Sequence, residues 1–224
     1  MKKPLALVVF LENVGHIHGV PLAPWVMDGI DWVTEEYAKL LLRLCGAYRR
    51  YDQVIVLEDE RATGADLVKA LTTASRTHRV DLLLLVHGHH HCLVGYKNRA
   101  LVGMETFQPL LAAYCADRAL LDLRMVYGLN CYGATLAPVW LALGAQVANG
   151  SLGVNWFPEP SLSIFLWQWL HGTPYSQAVR ISNHWADRVW RRILRPWTQG
   201  DHHPWLATSR QTVSGVCEIT IESE

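Results

Sequence analysis

Two stretches of this sequence are apolar almost without interruption: residues 5–11, and residues 81–86 with their four consecutive leucines. A strand with one wet face alternates apolar and polar residues. A short run without alternation reads instead as a strand covered on both faces, which is the habit of parallel sheets flanked by helices. The intervening segments fit that reading. Residues 31–48 carry Trp32, Val33, Tyr37, Leu40, Leu41 and Leu44 at helical spacing. Further helices are expected at 64–74, 107–116, 137–143, 161–170 and 176–194, and further strands at 53–57, 123–129, 145–148 and 213–221.

Strands alternating with helices imply right-handed crossovers. The expectation is therefore one α/β domain over residues 1–224, in three layers, with a mostly parallel six-stranded sheet flanked by helices. Residues 213–221 should be an edge strand, since Val216, Glu218 and Thr220 alternate with Ile219 and Ile221. Half of the 224 residues are hydrophobic and 18% are charged, enough for a sizeable core. Residues 155–160 and 196–204 read as surface loops, and no internal repeat is present.

Twenty basic residues balance twenty acidic ones, which gives no electrostatic reason to expect nucleic acid or a membrane surface as partner. The apolar run at 5–11 is short for a signal peptide and is cut by Glu12-Asn13, so a strand is the better reading. No segment approaches the length of a membrane helix. Five cysteines (Cys45, Cys92, Cys115, Cys131 and Cys217), with no C-x-x-C pair, point to a reducing compartment and a cytoplasmic protein.

In such sheets chemistry gathers beyond the carboxyl ends of the strands. After the third strand comes His87-Gly88-His89-His90-His91-Cys92, and after the fourth comes Asn130-Cys131-Tyr132-Gly133. A histidine and a cysteine across neighbouring strand ends can act as proton acceptor and nucleophile. The glycine after His87 lets the main chain approach a substrate carbonyl, whose developing oxyanion backbone N–H groups would hold. A cysteine at the end of a buried strand is, taken alone, more often a small hydrophobe.

An apolar strand ending in His-Gly, then 44 positions from His87 to Cys131, then an apolar strand ending in Asn130-Cys131-Tyr132-Gly133, resembles the caspase-like cysteine peptidases of clan CD. The similarity extends to residues 52–71, to 143–151 and to 165–178, the last two most like the CHAT and gingipain-like branches. The resemblance implies a cysteine endopeptidase working through a thioester acyl-enzyme, with Cys131 as nucleophile and His87 as general acid/base. It also implies Gly88 and Cys131 as oxyanion donors. No cofactor or metal is implied. The substrate would be a protein or peptide, with a separate regulatory or targeting protein as a possible partner. The sequence departs from the family at Leu85-Val86, where many relatives carry a small residue, and at Asn130, where alanine is commoner.

Specificity is poorly encoded. Glu12 at the end of the first strand, and Asn149, Ser151, Asn155 and Trp156 in and after the fifth, are the candidate substrate-binding residues. Glu12 equally suits a solvated carboxylate, and Trp156 a core or partner contact. Three other readings stay open. Zinc would use His87-x-His89 with His16-x-His18, although no carboxylate accompanies them. A cysteine-nucleophile α/β-hydrolase would take its base from His184, His202 or His203, but its elbow needs glycine where Leu129 stands. A non-catalytic interaction module would use the tryptophan-rich stretch from Trp185 to Trp205 as its partner surface. The short connection over residues 132–144, largely helical by pattern, predicts an enzyme not matured by cutting after Cys131. The loop over residues 12–24 would be its mobile part.

Overall fold

The computed structural model describes residues 3–12, 24–96, 100–195 and 203–223. Strand β1 (Leu5–Glu12) is buried at all eight positions. It lies between β2 (Gln53–Leu57) and β3 (Arg79–His89), parallel to both. The path continues through β6 (Leu123–Gly128) and β7 (Val147–Ser151), also parallel, to β8 (Gln211–Gly215), which is antiparallel. The six-stranded order is β2-β1-β3-β6-β7-β8.

The absence of alternation in β1 is explained by two cores. Ala6, Val8 and Phe10 face helices α3 (Gly64–Ser75), α4 (Met104–Ala116) and α5 (Ala137–Ala142). Leu7, Val9 and Leu11 face α1 (Pro24–Leu44), α2 (Ala47–Arg50), α6 (Ser161–Leu170) and α7 (Tyr175–Leu194). Each face is dry, so both parities of the strand are apolar. The second core is anchored by aromatics: Phe165 stacks on Tyr127 with centroids 3.6 Å apart.

The expected single helix over 31–48 begins earlier and divides. Gly46 stands between α1 and α2 with φ of 87°, a conformation that ends the first helix and that glycine adopts without steric cost. Two further differences bear on the site. Strand β3 runs past the sheet and folds back as a hairpin with β4 (Cys92–Val94), which pairs in turn with β5 (Leu101–Val102). The last strand is shorter than expected. It ends at Gly215, and Ile219 and Ile221 are buried under the second core while the chain turns. Their alternation marked burial of a turn, whereas the edge position of β8 is as expected. Among the described residues no helix is long and apolar enough to cross a membrane.

One irregularity sets the register of the central strands. Val80 pairs with Leu123 but Asp81 pairs with Met125, so Arg124 is the extra residue of a bulge. Beyond it the offset is constant, with Leu82 opposite Val126 and Leu84 opposite Gly128.

Candidate active site

The paired register ends at Leu84 opposite Gly128, three residues short of His87 and of Cys131. The ladder does extend at least one step, since Leu129 N–H donates to the Leu84 carbonyl at 3.0 Å. The two strand ends are in close contact. A Cβ placed on Gly88 would lie 2.5 Å from the Cys131 carbonyl oxygen and 3.0 Å from Asn130 Cβ. No larger residue fits at 88 without moving one strand end, so this glycine is required by packing as well as by any substrate.

Cys131 is partly buried, and one main-chain N–H is hydrogen-bonded to its sulfur. Asn155 N–H donates to Sγ at 3.3 Å. The N–H groups of Cys131 and Gly88 also favour the thiolate. Burial pushes the thiol the other way and wins, so its pKa lies above the ordinary thiol value. The main-chain donor hydrogen-bonded to the sulfur is thus Asn155, which is not one of the two expected oxyanion donors. The sequence had marked Asn155 only as a groove residue. A main-chain donor leaves no side-chain signature by which to find it.

The segment after β7 is tied down to perform this. Asn155 Nδ2 donates to the Leu129 carbonyl at 2.7 Å, and Trp156 N–H to Ser209 Oγ at 2.9 Å. Ser209 ends α8 (Pro204–Ser209), whose Trp205 stacks on Trp156 at 4.6 Å. On the other side the β3–β4 hairpin grips the residues after the nucleophile. His91 N–H donates to Thr135 Oγ1 at 2.9 Å, and the His90 and Tyr132 rings lie 4.0 Å apart. Tyr132 itself has φ of 55°, an uncommon conformation for a non-glycine residue, and its N–H is held by the Gly153 carbonyl at 2.7 Å.

Comparison with known proteins agrees with this geometry at the level of fold. Neither a family model nor a curated protein sequence matches the chain. Solved structures do. The Arg-specific cysteine proteinase gingipain R aligns over 97% of this chain with a TM-score of 0.59 and 13% identity. The complex of RgpB pro- and mature domains from Porphyromonas gingivalis aligns over 95%, with a TM-score of 0.54 and 12% identity. The fold is that of the caspase-like cysteine peptidases. A secreted C11 cysteine protease from Bacteroides thetaiotaomicron also aligns, over 80% of this chain and 61% of its own, at a TM-score of 0.46 and 14% identity. The chain spans 47% of the length of each of the first two structures.

Within this caspase-like fold the remaining candidates separate. Trp156 is half-buried beside the cysteine loop. Glu12 is buried at the end of β1, opposite Val86. Asn149 and Ser151 do not line a groove, contrary to expectation, because both are buried and serve the scaffold. Asn149 Oδ1 accepts from Gly128 N–H at 3.0 Å and from Tyr175 hydroxyl at 2.7 Å, while its Nδ2 donates to Gln211. Ser151 Oγ lies 2.8 Å from the Asn130 carbonyl and 2.9 Å from that of Gly153. Strand parity had placed them near the site without saying which side they face.

The rival readings find less. Among the described residues no three histidine, cysteine or carboxylate side chains come together as metal donors, and His16 and His18 lie outside those residues. The loop over 12–24 likewise falls outside them beyond Glu12 and before Pro24. His184 sits on α7, exposed, and His203 caps α8 by accepting from Trp205 N–H at 3.2 Å.

Proposed function

We propose that this protein is a cysteine peptidase in which Cys131 attacks the scissile carbonyl and His87 moves the proton. The observation that supports this most is the partly buried Cys131 at a strand end in close contact with Gly88, the residue after His87, with the Asn155 N–H on its Sγ at 3.3 Å. An acyl-transfer site needs a nucleophile, a base and donors aimed where the oxyanion grows. On this reading the thiol proton passes to His87 as Sγ bonds the carbonyl carbon, and the carbonyl oxygen takes its charge beside the N–H groups. Collapse breaks the C–N bond, and His87 returns the proton to the departing amine. Water, deprotonated by His87, then releases the acid from the thioester.

The reading extends to a peptide or protein substrate, with a separate protein to deliver or regulate it. The buried, protonated thiol favours a second reading, a non-catalytic interaction module on the same fold. One experiment separates them: hydrolysis of a positional-scanning peptide library by the wild type, Cys131→Ala and His87→Ala. Loss of cleavage in Cys131→Ala, with His87→Ala reduced by about 10²–10⁴-fold, is expected for a general acid/base. Cleavage that persists in Cys131→Ala would falsify the assignment.

A further inference from the structure

A cleft of about 460 Å³ opens between α7, α8, β8 and the segment after β7. That is within the range of ordinary ligand pockets, about 300–1,000 Å³. Its floor is fixed. Asn183 of α7 pairs with the backbone of Gln211, donating from Nδ2 to the carbonyl at 2.8 Å and accepting from the N–H at 3.0 Å. One wall is aromatic, with Phe157 stacked on Trp190 at 4.0 Å and the Trp190 ring held by the Glu159 carbonyl at 2.6 Å. Leu206 adds to the apolar lining.

The charges at this cleft are unbalanced. Its lining includes one carboxylate, Asp187, which is taken by Arg191 at 2.6 Å. Arg180 and Arg210 also line it, and neither has a carboxylate partner among the described residues. Two guanidinium groups beside an aromatic wall suit a carboxylate ligand that also carries an apolar side chain. Arginine binds a carboxylate in a fork, and its plane tolerates an apolar neighbour better than a hydrated ammonium does.

The cleft is also tied to the cysteine. Phe157 in its wall is two residues from Asn155, whose N–H reaches Sγ, so their Cα atoms are at most about 7 Å apart. Ser209 joins the two by accepting from Trp156 N–H while lining the cleft.

We propose that this cleft binds an acidic segment of a peptide, with Arg180 and Arg210 on its carboxylates and Phe157, Trp190 and Leu206 around an apolar side chain. Its role as a substrate subsite rests on the peptidase reading, but the binding itself does not. The test uses the full chain with Cys131→Ala, which cannot turn over, and follows fluorescence anisotropy of two capped, labelled peptides, Glu-Leu-Glu-Phe-Glu and Lys-Leu-Lys-Phe-Lys. The acidic peptide should bind about tenfold or more tightly than the basic one, and Arg180→Ala/Arg210→Ala should lose about that factor, as for truncated charge pairs. Arg43→Ala, on α1 outside the cleft, should bind as the parent does. Equal binding of the two peptides, or an undiminished double variant, overturns the proposal. A wild-type chain that binds the acidic peptide through these arginines yet cleaves no member of the positional-scanning library keeps the cleft and sinks the peptidase reading.

Discussion

At Cys131 two influences oppose each other: water is removed from the thiol, while nearby main-chain N–H groups, Asn155 foremost, favour the thiolate. The raised pKa means that the folded chain holds this proton more tightly than free cysteine does. At neutral pH the resting sulfur is therefore mostly thiol, and its thiolate appears only as pH passes the ordinary thiol range. Alkylation of Cys131 by iodoacetamide, followed by mass spectrometry of its peptide, should have a pH midpoint above that of free cysteine. Asn155→Pro, which removes one donor, should move the midpoint higher still, and Asn155→Ala, which keeps the N–H but loses the Nδ2 tie to Leu129, should move it less. A wild-type midpoint below free cysteine would show a thiolate already stabilised at rest. His87 and Cys131 stood out in the sequence because both follow apolar runs and each is followed within two residues by glycine. The roles of Asn149 and Ser151 were not, because the same residue types serve a groove or a buried strand junction.

Element by element, what could be read was whatever has a period. Strands β1 and β3 showed as nearly unbroken apolar runs, and α6 was bounded correctly because its apolar face begins and ends sharply at Ser161–Leu170. The β4–β5 ribbon was missed because strands of three and two residues carry no period at all. The connection after Cys131 is different, since its brevity is itself the signal. Residues 133–135 form a turn of 3₁₀ helix and α5 follows directly. Thr135 is bonded to His91 of the β3–β4 hairpin, and Leu136, Ala137 and Trp140 are buried. A protease needs several extended, exposed residues to cut, and this stretch offers none without unfolding α5. Purified protein followed by intact mass should therefore be active, if at all, as an uncut chain. Activity that appears only after cleavage between Cys131 and Gly150 would refute the argument from the connection.

On the scale of the whole molecule, the register of the two strands that lead to His87 and Cys131 depends on a bulge at the far end of the sheet. Arg124, its extra residue, is wholly buried and donates to Asp81 from Nε at 2.9 Å and Nη2 at 2.5 Å. Its Nη1 reaches the carbonyls of Thr220 at 3.1 Å and Ile221 at 2.8 Å, pinning the C-terminal turn beneath the sheet. Tyr51 donates to Asp81 at 2.6 Å and accepts from Trp169 Nε1 at 3.0 Å. Burial and the Asp81 carboxylate push the Tyr51 phenol well above its ordinary range, so it stays a donor. One arginine therefore joins β3, β6, α6 and the chain's last turn. Removing it leaves Asp81 buried without its cation, which costs about 3–5 kcal/mol in comparable sites. Without the bulge the offset would stay one residue shorter, setting Leu84 opposite Tyr127 instead of Gly128, and such a one-residue slip exchanges the faces of a strand. Arg124→Met should accordingly lower the urea midpoint by an amount matching that cost, and should slow Cys131 alkylation or hydrolysis even where the variant remains folded. Arg124→Lys, which keeps the charge but not the fork, should fall between. A variant Arg124→Met that unfolds within about 1 kcal/mol of the wild type would mean that the ladder hydrogen bonds, rather than the buried pair, hold the register.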